Sequence, residues 1–195
     1  GQYIVLSDKV IKKIAVTLSF LLSLFIGLIA ANSWQEILKF MAATPFGQTD
    51  PLFGLDIGFY IFTLPVYSLT VTLASILLLP CLIGCSLVYI LQGSLTIPSI
   101  FGNLAEKMGS HYKIQVKTNT TDPKARIHVG LLLFLFLLTV TTNTYLSLYE
   151  LLITQNGPVF GAAFTNANVM IPLVQVATFV YAISAVLALV YGISG

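Results

Sequence analysis

Three acidic residues stand where chemistry could be done. Asp50 and Asp56 are six residues apart in "TDPLFGLDIGFYIFTLP", and Glu150 follows Tyr149 in "YELLITQNGPVFGAAFTNANVMIP". Carboxylates so placed could take a cation or a partner, or serve as loop staples and helix caps. The glycines and prolines around them favour the second role. Cys81 and Cys85 share one helical face at i and i+4. Two thiols with no nearby histidine do not complete a tetrahedral metal site, so they read as small apolar residues. His111 and His128 lie in or beside a basic segment and read as solvated or interfacial. The chain shows no phosphate-binding glycine loop, zinc motif or nucleophile elbow. No catalytic, cofactor-binding or metal-binding residue is expected.

The elements that carry these residues are set by hydropathy. Of 195 residues, 57% are hydrophobic and only 8% are charged, with a mean hydropathy of +0.94. A helix crosses about 30 Å of hydrocarbon with about 20 apolar residues. Four charge-free runs qualify: residues 14–31, 64–91, 129–148 and 169–193. The expected fold is therefore all-α, a polytopic membrane protein of about four transmembrane helices with one short interfacial amphipathic helix. Its first partner is the lipid bilayer.

Charge sets the expected orientation. Lys9, Lys12 and Lys13 precede the first run, and Lys107, Lys113, Lys117, Lys124 and Arg126 lie in the connection 92–127. By the positive-inside rule both ends and that connection are cytoplasmic, in an inner or other bacterial-type cell membrane. Residues 32–63 and 149–168 then lie outside. No small-x-small cleavage pattern follows the first run, so it is read as retained. The chain is expected to be a segment of a longer protein. The connection 92–127 is too short for an ordinary domain. Its "SHYKIQVKTN" suits a strand or an arm near anionic headgroups, and Asn119 is a sequon by pattern only. Topology accounts for the lysines, so no nucleic-acid partner is expected.

In the first outer connection, "SWQEILKFM" places Ser33 and Glu36 at capping-box spacing. Trp34, Ile37, Leu38 and Met41 repeat at helical intervals. An amphipathic helix over 33–43, flat on the outer leaflet, is predicted. Gly47, Pro51, Gly54 and Gly58 then permit the turns back into the bilayer. Phe59, Tyr60, Phe62 and Tyr67 form an aromatic belt, and Pro65 is placed in a first helical turn.

"FGQTDPLFGLDIGFYIFTLP" and the later "YELLITQNGPVFGAAFTNANVMIP" resemble two motifs of a bacterial membrane family of uncharacterised role, family zero-one-eight-two. The resemblance covers residues 10–193. It implies longer proteins with about seven spans and a large extracytoplasmic region, of which this chain looks like the middle of the membrane part. Asp50, Pro51, Phe53, Gly54, Asp56, Gly58, Phe59, Tyr60, Leu64 and Pro65 match the first motif, and Tyr149, Glu150, Leu151, Leu152, Gly161, Ala162 and Thr165 the second. Phe164 and Asn166 stand where the family has Tyr and Asp, and Ser147–Leu148 replaces an Asp-Arg pair. The family supplies no activity to carry over.

The spans carry packing and polar signals. Ala15, Ser19, Ser23, Gly27 and Ala31 form an unbroken row of small residues at four-residue spacing, and Ser184, Ala188 and Gly192 a shorter one. Such rows let a second backbone approach closely, within this chain or from another subunit. Asn143, among threonines, and Gln175, just after Pro172, lie at similar depth and could hydrogen-bond each other as interhelical glue. No intramembrane acid or base accompanies them, which weighs against proton coupling and electrogenic pumping. Phe53, Gly54 and Pro65 recur as Phe160, Gly161 and Pro172 at one constant offset, a faint sign of a duplicated helix hairpin.

These observations favour a non-enzymatic membrane module that packs against other membrane helices or subunits. A transporter or channel component is the alternative, and a membrane enzyme with its catalytic groups elsewhere comes third. The two outer segments are expected to pack together as one cap built on Asp50, Asp56, Tyr60, Pro65, Tyr149, Glu150, Thr165 and Asn166. Asp56 is expected to take a donor from the backbone or from a polar side chain of the second segment.

Overall fold

The computed structural model describes residues 8–91, 95, 122–153, 155–156, 159–160 and 165–194. The order is α1 (Asp8–Asn32), α2 (Trp34–Met41), a π-helical turn π1 (Phe59–Thr63), α3 (Leu64–Leu91), α4 (Pro123–Ile153), β1 (Gln155–Asn156), β2 (Val159–Phe160), a second π-helical turn π2 (Asn166–Met170) and α5 (Ile171–Ser194). The all-α architecture stands; beside it, among the described residues, are a two-residue antiparallel pairing of β1 and β2 and an isolated bridge between Thr49 and Asp56. Among the described residues four helices are long and apolar enough to cross a bilayer: Lys12–Asn32, Phe59–Ile90, Pro123–Ile153 and Asn166–Ser194.

The helices outrun the apolar runs of the sequence. The third occupies 123–153 where 129–148 was expected, about 46 Å at 1.5 Å per residue against about 30 Å of hydrocarbon. Hydropathy registers where a helix leaves the apolar layer, whereas the backbone ladder continues to the next cap. Asp122 supplies that cap: its Oδ1 accepts the N–H of Lys124 at 3.0 Å, with Pro123 just inside the helix start. Residues 123–127 of the expected cytoplasmic connection are thereby helical. The strand or arm over 110–119, His111 and Asn119 lie outside the described residues.

α4 is the middle helix, with α3 on one side and α5 on the other. The α4–α5 crossing is the closest. A methyl group on Gly130 would lie 2.7 Å from Gly192 Cα and 3.3 Å from Ala188 O. Ala125, Ala185, Ala188 and Gly192 are buried there. Of the short row on α5, Ala188 and Gly192 therefore meet α4, while Ser184 turns its hydroxyl back to Val180 O at 2.8 Å.

The long row on α1 behaves otherwise. α1 makes sparse contacts with α2 and α3. Ala15, Ser19, Ser23, Gly27 and Ala31 are all exposed, and nothing approaches within 4 Å of a methyl group built on Gly27. A four-residue step overshoots the 3.6-residue turn by about 40 degrees, so the row winds around the helix.

α2 forms as its pattern predicts, but not through a capping box. Ser33 makes no side-chain cap; its hydroxyl donates backward to Ile29 O at 3.0 Å. Ser33 (φ −99°, ψ 16°) instead marks a break between α1 and α2. Phe40 of α2 packs on Tyr67 of α3, with ring centroids 6.5 Å apart.

Helical residues of the second span begin at Ile57, so Pro65 is not in a first turn. π1 resolves the difficulty. An interior proline lacks an N–H and crowds the carbonyl four residues back. A wide π turn just before it, closed by Leu64 N–H to Phe59 O, opens the ladder at that place. Pro172 is treated identically: Ile171 N–H donates to Asn166 O, closing π2. The two turns have equal length and stand at the same offset as the Phe-Gly and Pro repeats.

Candidate functional site: the stapled cap

The site starts from a turn. Asp50 N–H donates to Leu55 O at 2.9 Å, Gly54 N–H to Asp50 O at 3.0 Å and Ile57 N–H to Gln48 O at 2.9 Å, folding residues 48–57 back on themselves. Gly47 and Gly54 take φ of +70° and +68°, which only glycine adopts without strain. Gly58 is required for another reason: a Cβ there would meet Asp56 Oδ1 and Thr44 O, both at 2.9 Å.

The carboxylates hold this turn. Asp50 accepts four hydrogen bonds: from Leu52 N–H (2.8 Å), Phe53 N–H (2.7 Å), Leu55 N–H (3.0 Å) and the Tyr60 hydroxyl (2.7 Å). Asp56 accepts from Phe46 N–H (3.0 Å), Gly47 N–H (2.8 Å) and Gly58 N–H (2.7 Å). The last caps the start of the re-entrant helix. Among the described residues the donors to Asp56 are backbone N–H groups of its own segment, so of the two expected sources the backbone serves it and no side chain of the second segment does. Local backbone amides reach a carboxylate at no further cost in chain entropy, so they saturate it first.

Electrostatics follow. Burial pushes the Asp50 carboxyl up, but the hydrogen bonds from Phe53, Tyr60, Leu55 and Leu52 outweigh it and hold it below its ordinary value of 3.8. Asp56 is also held low, by the N–H groups of Phe46 and Gly58 first, against slight desolvation, with Gly47 adding to them.

Aromatic rings join this turn to the end of α4. Tyr149 receives Phe53 at 5.0 Å between centroids, Phe59 at 5.4 Å and Tyr60 at 6.4 Å, all edge to face. Edge-to-face contact is the arrangement that ring quadrupoles favour. Tyr60, Leu64 and Leu146 form the buried cluster below, flanked by Leu55, Val71 and Leu152. Glu150 Oε1 accepts the Ser68 hydroxyl at 2.6 Å. The first outer segment and the start of the second therefore meet through Tyr149 and Leu152, while Glu150 holds Ser68 of α3. Residues 154, 157–158 and 161–164, including the Gly161, Ala162 and Phe164 motif positions, lie outside the described residues. Beyond them Thr165 is exposed and Asn166 is buried, its Nδ2 without a hydrogen-bond partner among the described residues. Pro65 lies on the spine of this site through π1.

The intramembrane amides do not pair. Asn143 and Gln175 are both exposed, and no hydrogen bond joins them. Similar depth did not give a shared face. At mid-span α3 and α4 are joined instead by Ser75 and Thr139, whose hydroxyls are 2.9 Å apart, and toward the other end by the Tyr89 hydroxyl and His128 Nδ1, also 2.9 Å apart. Thr139 belongs to the threonine run beside Asn143, but nothing in composition distinguishes the inward threonine. Ser68, Tyr145, whose hydroxyl is 2.7 Å from that of Tyr149, and Gly130 were likewise missed. A lone serine, tyrosine or glycine carries no periodic signal.

The family model of the uncharacterised protein family UPF0182 matches residues 2–194. The chain belongs to this family. It is similar to a UPF0182 protein of Kocuria rhizophila, 32% identical over 96% of this chain and 17% of that relative. A UPF0182 protein of Arthrobacter sp. is 31% identical over the same shares, 96% and 17%. One of Geobacter sp. is 25% identical over 92% of this chain and 18% of its own length. The chain thus spans about a sixth of the length of these relatives, and both cap motifs fall inside the matched region. No solved structure matches it.

Proposed function

We propose that this UPF0182 segment is a non-enzymatic membrane module that holds a rigid cap at the outer face and offers bare helix faces to further spans or subunits. The observation that supports it most is the saturation of Asp50 and Asp56 by donors of their own segment. Carboxylates engaged in this way stiffen a turn and have little capacity left for a ligand. The apolar faces fit the same reading. On α5 Phe179, Ile183, Val186 and Leu187 are exposed, with a shallow groove of about 270 Å³ lined by Ala182, Ile183, Val186 and Leu187. The positive-inside rule supports a topology with both ends of the segment and residues 92–127 cytoplasmic in a bacterial-type cell, and 32–63 and 149–168 outside.

Purification of the full-length protein from native membranes in mild detergent tests this proposal. Defined chains should co-purify, and Asp50→Ala should reduce them. A protein that runs alone and is indifferent to Asp50 sinks the scaffold reading. Orientation is tested separately, by an impermeant thiol reagent on Gln48→Cys and Gln115→Cys in a background without Cys81 and Cys85. Position 48 should label in intact cells and position 115 should not.

A transport role is the second reading. It is favoured by Asn166, buried at the first residue of π2 with an Nδ2 that has no hydrogen-bond partner among the described residues, just before Pro172. Water-accessible labelling of cysteines along π2 and α5 would support it, and a dry α5 would remove it.

A further inference from the structure

Of the basic residues whose side chains are described, Arg126 alone is half-buried; Lys12, Lys13, Lys39, Lys124 and His128 are exposed. Its Nε is enclosed by protein and has no hydrogen-bond partner among the described residues. A guanidinium stays charged at every physiological pH and presents its donors as a rigid planar fork. Enclosing one of those donors without an acceptor is costly, and the cost falls when an anion meets the rest of the fork. Asp122, four residues earlier on the same face, is the acid that helical spacing would offer. Its Oδ1 instead accepts Lys124 N–H at 3.0 Å and caps α4.

The place of Arg126 in the fold indicates which anion. It stands one helical turn before Gly130 and therefore on the α5 side of α4. A methyl group on Gly192 would lie 3.7 Å from Arg126 O, so the side chain emerges just beyond the closest approach of α4 and α5. The charge-free run of α4 begins at Val129. Three residues put Arg126 about 4.5 Å outside it, within a headgroup layer about 5–7 Å thick. Side chains lean toward a helix's N-terminus, which carries the guanidinium further into that layer. Phosphate esters are the resident anions at this depth. The surrounding field favours them too, since eight of the nine lysines and arginines, against three of the seven acids, fall in residues 1–13 and 92–127.

We propose that Arg126 forms a phosphate-ester binding site at the basic rim of the α4–α5 crossing. Packing around Nε holds the guanidinium plane against the two helices, and the two terminal nitrogens are the open edge that grips the phosphate oxygens. Lys124 lies about 160 degrees around α4 from Arg126 and adds general attraction without touching the same phosphate. The ligand is the headgroup of an anionic phospholipid or a soluble phosphate ester, which share this chemistry. The site does not depend on the scaffold reading.

Binding to the delipidated full-length protein in mild detergent tests it, with two ligands. Phosphatidylglycerol is titrated in and bound lipid counted by native mass spectrometry, and labelled inorganic phosphate is measured by equilibrium dialysis. Arg126→Gln should weaken binding about tenfold, because a charge-assisted fork is lost. Arg126→Lys keeps the charge without the fork and should weaken it about threefold. Lys124→Gln should weaken it less than about twofold, as the loss of general attraction alone. These losses in the lipid arm assign a headgroup as the ligand, and in the phosphate arm alone a soluble ester. If Arg126→Gln cannot be recovered folded, Arg126→Lys set against Lys124→Gln decides. No binding of either ligand by the parent, unchanged affinity in the Arg126 variants, or equal losses from positions 124 and 126 would overturn the proposal, the last by leaving only a diffuse basic rim.

Discussion

Gly192 on α5 lies so close to α4 that a methyl group there would meet Gly130 Cα at 3.2 Å, while a methyl group on Gly27 of α1 would meet nothing within 4 Å. Both glycines belong to rows of small residues at four-residue spacing. The difference lies in the partner. Gly130 presents bare backbone at the level of Gly192, whereas no backbone stands opposite Gly27 among the described residues. Small-residue spacing permits close approach, and a facing surface at the same depth is needed to realise it.

The sharpest way to break this contrast is Gly130→Leu. Its side chain would enter backbone, which cannot yield as a flexible side chain can, so α4–α5 packing should lose about 2–3 kcal/mol. Unfolding in mixed detergent micelles measures this. Gly27→Leu on the same scale should change stability by less than about 0.5 kcal/mol, because the site is open. Comparable losses from the two substitutions would erase the distinction between closed and open hairpins.

The cap extends the comparison, since there the first hairpin is the tightly held one. Asp50→Ala should raise hydrogen exchange at the Leu52, Phe53 and Leu55 amides about tenfold, because three N–H groups and the Tyr60 hydroxyl lose one acceptor. The pH dependence has a defined sign. Both carboxyls are depressed below 3.8 in the folded cap. Their stabilisation is therefore complete above that value and is lost as pH falls through the lower folded values. Exchange in residues 46–58 should show steady protection from neutral pH to about pH 5 and a loss below about pH 4, after correction for intrinsic rates. The smallest effect is expected from Thr139→Val, about 0.6 kcal/mol, because Ser75 keeps its bond to Val71 O at 2.9 Å.

The four spans, the amphipathic α2 and the turn glycines were legible in the sequence because each depends on local physics: apolar length, helical period and backbone freedom at one residue. Asp50, Asp56, Tyr60 and Tyr149 could be singled out as a set, since charge and aromatics are conspicuous among apolar neighbours. Which donor served which carboxylate could not. Asp56 within its own segment and Ser68 with Glu150 are choices among several polar groups at similar depth.

The amino-acid sequence alone determined the class of the molecule, the number of membrane-length helices and the places where the chain must turn, because desolvation of apolar side chains and hydrogen bonding of the backbone leave few alternatives. Only the tertiary structure decided which faces meet. It matched Gly130 with Gly192, Ser75 with Thr139 and Phe53 with Tyr149, and left Asn143, Gln175 and the row on α1 without those contacts. Helical rotation sets which of these side chains face a partner. A shift of one residue turns a side chain by about 100 degrees, and hydropathy is indifferent to that rotation in a helix apolar on every side.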